Sequence, residues 1–199
     1  MLALITGGSG SGKSRAAEDL AVRLHAARGD GRLIYAATMR HTGKDAETDE
    51  RIRRHRAARA GKGFETLERE RNFAELSFAG RDTVLLEDLS NLLANELYGD
   101  PPAADIRAAV LNPLLSIAEK GSHLVIVTNQ ISLGVPAYAP ETMRYIRLLE
   151  ELNCLIAERA GYVAEICCGI PLTVKEYPGG NIPGAGPAAP DIHDGKKPC

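Results

Sequence analysis

The stretch "LALITGGSGSGKS", Leu2 to Ser14, decides the fold. Its first five residues, Leu2–Thr6, read as a buried strand. They run directly into G-x-x-x-x-G-K-S, from Gly7 to Ser14. That spacing has a mechanical reason. Gly7, Gly8, Gly10 and Gly12, with Ser9 and Ser11 between them, let backbone N–H groups turn inward and cradle phosphates. Lys13 reaches the β- and γ-phosphates, and the Ser14 hydroxyl suits Mg²⁺. The helix that begins here points its positive end at the charge. A strand before the motif and a helical pattern after it make this a nucleotide-binding P-loop.

Working outward, short apolar runs alternate with helical patterns. "LIYAA" (Leu33–Ala37), "TVLLE" (Thr83–Glu87), "HLVIVT" (His123–Thr128) and "YVAEICC" (Tyr162–Cys168) are the further strand candidates. Most are continuous rather than alternating, as expected of strands buried on both faces. Lys13–His25, Leu89–Leu97, Ala104–Lys120 and Glu141–Arg159 carry helical spacing, with Pro113 expected to bend or split the third. The alternation predicts an α/β fold, an open and mostly parallel sheet flanked by helices. "PLTVKEY" reads as a last strand, paired antiparallel to "YVAEICC" through a turn at Gly169–Pro171. Residues 1–176 therefore read as one domain. Residues 177–199 are rich in Pro and Gly and poor in large apolar side chains, so a mobile tail is expected there.

The composition sets limits. The chain has 199 residues, a net charge of −2 and 44% hydrophobic residues. That is ordinary for a soluble domain and gives no overall pull toward nucleic acid or anionic membrane. No apolar run approaches the ~20 residues of a membrane span. "MLALIT" lacks the basic start and cleavage site of a secretion signal. Cys154, Cys167, Cys168 and Cys199 include no C-x-x-C pair, which points to free thiols in a reducing cytoplasm rather than a zinc site.

A P-loop needs an acid at the end of a neighbouring strand to complete the Mg²⁺ surroundings. "TVLLED" supplies Glu87 and Asp88, and spacing does not choose between them. "DERIRRHRAAR", Asp49 to Arg59, is a different kind of feature. Acids lead and bases follow at i, i+4: Glu47 with Arg51, Asp49 with Arg53, Glu50 with Arg54. Taken alone, the pattern fits a salt-bridged surface helix, a nucleic-acid contact or a phosphate-facing active-site helix. Missing aromatics weaken the nucleic-acid reading. Arginines on either side of His55 disfavour its imidazolium. A neutral imidazole beside a triphosphate is a nucleophile able to form a phosphoramidate. The residues also leave room for a kinase of another hydroxylated small molecule or a nucleotide-binding regulatory module.

Taken in order, "TGGSGSGKS", "LIYAATMR", "DERIRRHRAAR", "TVLLEDLSNLLANEL" and "LVIVTNQISLGVP" resemble the adenosylcobinamide kinase / adenosylcobinamide-phosphate guanylyltransferase family. The resemblance runs from about Leu2 to Lys175. It implies a RecA-like P-loop fold and a homotrimer with sites between subunits. It also implies two reactions: phosphorylation of adenosylcobinamide by ATP or GTP, then transfer of GMP from GTP to adenosylcobinamide phosphate. His55 matches the residue that becomes guanylylated. The implied nucleotide contacts are Gly7 to Ser14, Ala37, Thr38 and Met39, then Arg56, Ala57, Ala58 and Arg59, with Glu68 and Glu87. Ser14 and Glu87 match the metal ligands, which prefers Glu87 over Asp88. Two segments depart from the pattern. Gln130 stands where the family carries Glu, and Glu150 and Glu151 stand where it carries Gly-Arg, while Asn153 is kept.

Overall fold

The computed structural model describes residues 1–40, 53, 59, 61–131 and 138–176. Seven strands form one sheet: β1 (Leu2–Gly7), β2 (Leu33–Ala37), β3 (Glu65–Glu68), β4 (Thr83–Glu87), β5 (His123–Val127), β6 (Tyr162–Cys167) and β7 (Ile170–Lys175). Their spatial order is β3-β2-β4-β5-β1-β6-β7. All neighbours run parallel except β6 and β7, which are antiparallel. The described helices are α1 (Lys13–Arg28), α2 (Leu89–Tyr98), α3 (Ile106–Glu119) and α4 (Pro140–Arg159). The α/β reading and its C-terminal antiparallel pair are both present.

Alternation along the central strands explains why they lack a polar face. Val84 and Leu86 point into one apolar layer, with Leu92, Leu93, Val110, Leu114 and Leu149 from α2, α3 and α4. Leu85 points into the other layer, with Ala17, Leu20, Ala21 and Leu24 from α1. Both faces are thus covered, and the run "TVLL" has to be apolar throughout. The N-terminal ends of β2 and β4 are pinned by Asp82, which accepts from Arg32 Nη2 at 2.6 Å, Arg32 N at 3.1 Å and Ala79 N at 2.9 Å.

Three details differ from the sequence reading. β3 is a strand, paired to β2 from Ile34↔Glu65 to Ala37↔Glu68. It is an exposed acidic edge, so no apolar run announced it. Pro113 neither splits nor ends α3, which is continuous over Ile106–Glu119. A proline inside a helix costs about 3 kcal/mol. Val110, Leu111, Leu114 and Ile117 are buried along this helix, and each such side chain returns about 1.5–3 kcal/mol. The β6–β7 turn is Cys168–Gly169, with φ of +50° and +82°, and Pro171 lies inside β7. Two left-handed residues in succession make the tight hairpin turn that suits the twist of its strands.

Candidate active site

β1 delivers the chain to the P-loop, and α1 carries it away. Gly7 has a φ of +152°, and a Cβ there would lie 2.6 Å from the Ile166 carbonyl oxygen and 2.7 Å from Ser11 Oγ. Gly12, at φ +92°, begins α1 without a side-chain cap, and the first turn holds no acid. The positive end of α1 is therefore open to an anion. Lys13 is 8% exposed and donates to the Gly8 carbonyl at 3.0 Å. A cavity of about 620 Å³ lies here, lined by Gly10 to Arg15 and by Glu18, Asp19 and Lys62. Lys62 Nζ donates to Glu18 Oε2 at 2.8 Å and Asp19 Oδ1 at 3.1 Å.

Ser14 Oγ donates to Glu87 Oε1 at 2.6 Å. The other carboxylate oxygen, Glu87 Oε2, is buried and has no hydrogen-bond partner among the described residues. Glu87 as a residue is only half-buried, but its carboxylate is shielded. Burial pushes its pKa up to about 7, with Asp88 adding to the rise while the Ser14 hydrogen bond and Lys13 oppose it. Asp88 is committed elsewhere. It caps α2 by accepting from Asn91 N at 2.8 Å, and it also accepts from Ser90 Oγ and, at 3.2 Å, from Asn129 Nδ2. Geometry thus separates two acids that spacing left equivalent.

Thr38 follows β2 and is fully buried. Its hydroxyl lies 3.0 Å and 2.9 Å from the Glu87 and Asp88 carbonyl oxygens and accepts from Asp88 N at 2.8 Å. The side chain ties β2 to β4. Ala37, Met39 and Glu68 line a separate cavity of about 460 Å³, together with Arg69, Glu70, Arg71, Asn72 and Glu75. None of those residues lines the P-loop cavity. Of the site residues expected from sequence, Gly10 to Ser14 line one depression and Ala37, Met39 and Glu68 line another, while Thr38, Glu87 and Arg59 line neither.

Of the arginine-rich stretch, Arg53 and Arg59 are described, and both are helical. Arg59 is only 7% exposed, and its guanidinium carbon sits 3.5 Å from the centre of the Tyr35 ring. An arginine expected at the nucleotide phosphates is thus packed on Tyr35 of β2. Tyr35 also meets Phe64 edge to face, with ring centres 5.9 Å apart. His55, Arg56, Ala57 and Ala58 lie outside the described residues.

Lys62, Glu18 and Asn129 were not anticipated. No motif marks Lys62 or Glu18. Asn129 carried a usable signal, as a polar residue closing the buried run "LVIVT". Its Nδ2 donates to Ser90 Oγ at 2.6 Å, and the next residue's N–H donates to the Gly7 carbonyl at 3.3 Å. The altered segment has a packing role: Glu151 pairs with Arg107 at 2.8 Å, joining α4 to α3. Asn153 Oδ1 accepts from Thr128 Oγ1 at 2.8 Å.

A family model described as cobinamide kinase / cobinamide phosphate guanyltransferase matches residues 3–174. The chain belongs to the cobinamide kinase / cobinamide phosphate guanyltransferase family. It is 34% identical over 182 residues to the bifunctional adenosylcobalamin biosynthesis protein CobP of Pseudomonas aeruginosa, covering 88% of this chain and 98% of that one. It is 30% identical over 191 residues to the bifunctional adenosylcobalamin biosynthesis protein CobU of Escherichia coli, covering 88% of this chain and all of that one. Among solved structures, flagellar accessory protein FlaH from Methanocaldococcus jannaschii aligns at a TM-score of 0.47 and 16% identity, over 92% of this chain and 80% of that one. The match to the cobinamide kinase family spans β1 through most of β7, including both cavities. No helix among the described residues is long and apolar enough to cross a membrane.

Proposed function

We propose that this family member uses the P-loop for two successive reactions on a cobinamide-type substrate, with Ser14 and Glu87 as the metal ligands and His55 as the covalent nucleophile. The observation that carries the metal assignment is the unpartnered, buried Glu87 Oε2 beside the Ser14–Glu87 hydrogen bond. A hydroxyl and a carboxylate at the phosphate-facing start of a helix suit a hard divalent cation such as Mg²⁺. When bound, the cation neutralises charge on the nucleotide phosphates.

In the first reaction the P-loop and Lys13 hold ATP or GTP, and the substrate hydroxyl oxygen bonds to the γ-phosphorus. The γ-phosphorus bond to the β–γ bridging oxygen breaks, leaving the nucleoside diphosphate. Positioning supplies most of that acceleration. In the second, a ring nitrogen of His55 attacks the α-phosphorus of GTP and pyrophosphate leaves. A phosphate oxygen of the phosphorylated substrate then takes the GMP from His55, giving the GDP-linked product. Arg56 is assigned the phosphate contact. Arg59 is assigned the anchoring of that segment, because its stack on Tyr35 and its burial leave little of it for a ligand. The resemblance further supports a homotrimer.

Incubation with α-labelled GTP and Mg²⁺ tests the second reaction. The expected result is label on the protein that acid releases and alkali does not, absent from His55→Ala. No label on the wild-type protein, or undiminished label on His55→Ala, overturns the assignment of His55.

A further inference from the structure

Free cysteines are usually among the most buried residues of a protein. Cys167 and Cys168 are adjacent, and both are exposed free thiols. Cys167 ends β6, and Cys168 is the first residue of the turn, at φ +50°. Asn, Asp or Gly ordinarily fills such a position, because a Cβ is strained there. Burial of apolar surface does not account for the pair, and neither proposed reaction uses it.

The turn that carries the pair rests on the P-loop. Gly169 N donates to the Ser11 carbonyl oxygen at 2.8 Å. A Cβ on Gly12 would lie 3.4 Å from Gly169 Cα, and one on Gly7 would lie 2.6 Å from the Ile166 carbonyl. The residues on both sides of the two cysteines therefore touch the phosphate loop. The neighbouring Cys168 thiol pushes the Cys167 pKa above its ordinary value.

We propose that Cys167 and Cys168 form a reversible dithiol site that low-molecular-weight disulfides oxidise, and that its closure weakens nucleotide binding by the P-loop. One cysteine thiolate attacks a sulfur of the small disulfide and releases one small thiol, forming a mixed disulfide. The neighbouring thiolate displaces the second small thiol and forms the Cys167–Cys168 bond. The two protein sulfurs lose two electrons, the small disulfide gains them, and both protons leave on the released thiols. The Cα atoms of adjacent residues are about 3.8 Å apart across a trans peptide, against about 4.4–6.8 Å for ordinary disulfides. The ring is therefore strained and easily reduced, which suits reversal over permanent cross-linking. Closing it moves the Cys168–Gly169 backbone that holds the Ser11 carbonyl.

The test uses the full chain treated with oxidised glutathione, then titrated with a fluorescent ATP or GTP analogue. Peptide mapping is expected to show an intramolecular Cys167–Cys168 bond. The nucleotide Kd is expected to rise about fivefold, the equivalent of one lost hydrogen bond, and to return on reduction. Cys167→Ser and Cys168→Ser should each bind nucleotide normally and lose the response, whereas Cys154→Ser/Cys199→Ser should keep it. A bond to Cys154 or Cys199 instead, no bond at all, or a Cys167–Cys168 bond with unchanged Kd would each overturn the proposal. Because the readout is nucleotide affinity, the result stands apart from the assignment of His55.

Discussion

Ser14 and Glu87 meet at 2.6 Å although β5 lies between the strands that lead to them. The contact exists because α1 begins at Lys13, after the P-loop that follows β1, and packs over β5 and β4. Removing either partner is expected to lower γ-phosphate turnover by at least about 10–100-fold, the cost already incurred when only a partner of a metal ligand is lost. Steady-state kinetics of Ser14→Ala and Glu87→Gln at varied Mg²⁺ check this. Wild-type rates in both variants would remove the pair from the reaction.

The raised pKa of Glu87 makes the nucleotide-free protein sensitive to pH. Its carboxyl titrates near 4.5 when unfolded and near 7 when folded, because burial penalises the charge. The stabilisation from the protonated form is complete below the lower value and lost as pH rises through the upper one. It is on the order of 3 kcal/mol. Thermal melts between pH 4.5 and 7.5 should show the wild type losing stability relative to Glu87→Gln as pH rises. His123, whose pKa burial lowers to about 4, slopes the other way but is common to both proteins and cancels. Parallel curves for the two proteins would refute the shift.

Gly7→Ala places a methyl group against the Ile166 carbonyl and Ser11, at a φ that a side chain rarely adopts. The variant is expected to lose nucleotide binding, measured by calorimetry, through displacement of the whole loop. Gly8→Ala, where a Cβ meets nothing within 4 Å, is its control and should bind far better.

Asp82 sits at the opposite end of the sheet from the P-loop. Burial raises its pKa, but the hydrogen bonds from Arg32 and Ala79 outweigh this and hold it low. Asp82→Ala leaves those donors without their acceptor. Denaturant titration should show a loss of about 2–3 kcal/mol. Nucleotide affinity of the folded fraction should stay unchanged, and a large change in affinity would mean the two ends of the sheet are coupled.

Tyr35→Leu removes the ring under Arg59 while keeping an apolar side chain on β2. A desolvated cation–π contact is worth up to about 2 kcal/mol, so a loss of that order in stability is expected. Formation of the GMP adduct should fall more than γ-phosphate turnover, since Arg59 is four residues from His55. Equal losses in both activities would argue against an anchoring role.

The central strands were legible because burial on both faces leaves no alternative to apolar runs such as "TVLL" and "LVIV". The P-loop was legible because its geometry demands particular residues at fixed spacing. β3 was not, since three of its four residues are exposed and Leu67 alone packs against the core, so its place comes mainly from pairing with β2. Pro113 misled because local propensity lost to packing. The choice between Glu87 and Asp88 depends on which carboxylate turns toward Ser14 and which toward the α2 amides, and adjacent letters do not encode that. Arg59 was expected at the nucleotide phosphates by resemblance, and no pattern in its own segment shows that an aromatic ring on β2 lies beneath it.

Thr38, Asp88, Ser90, Asn95 and Asn129 join the ends of β2, β4 and β5 by side-chain hydrogen bonds, and Asn95 Nδ2 also reaches the Glu70 carbonyl at 3.0 Å. Cross-linked in this way, three strand ends behave as one stiff plate. An enzyme that attacks the γ-phosphorus in one turnover and the α-phosphorus in the next must re-aim its reactants by about two phosphate units. Strand ends tied together in this way favour leaving that travel to the nucleotide rather than to the sheet, so both chemistries would share one reference surface.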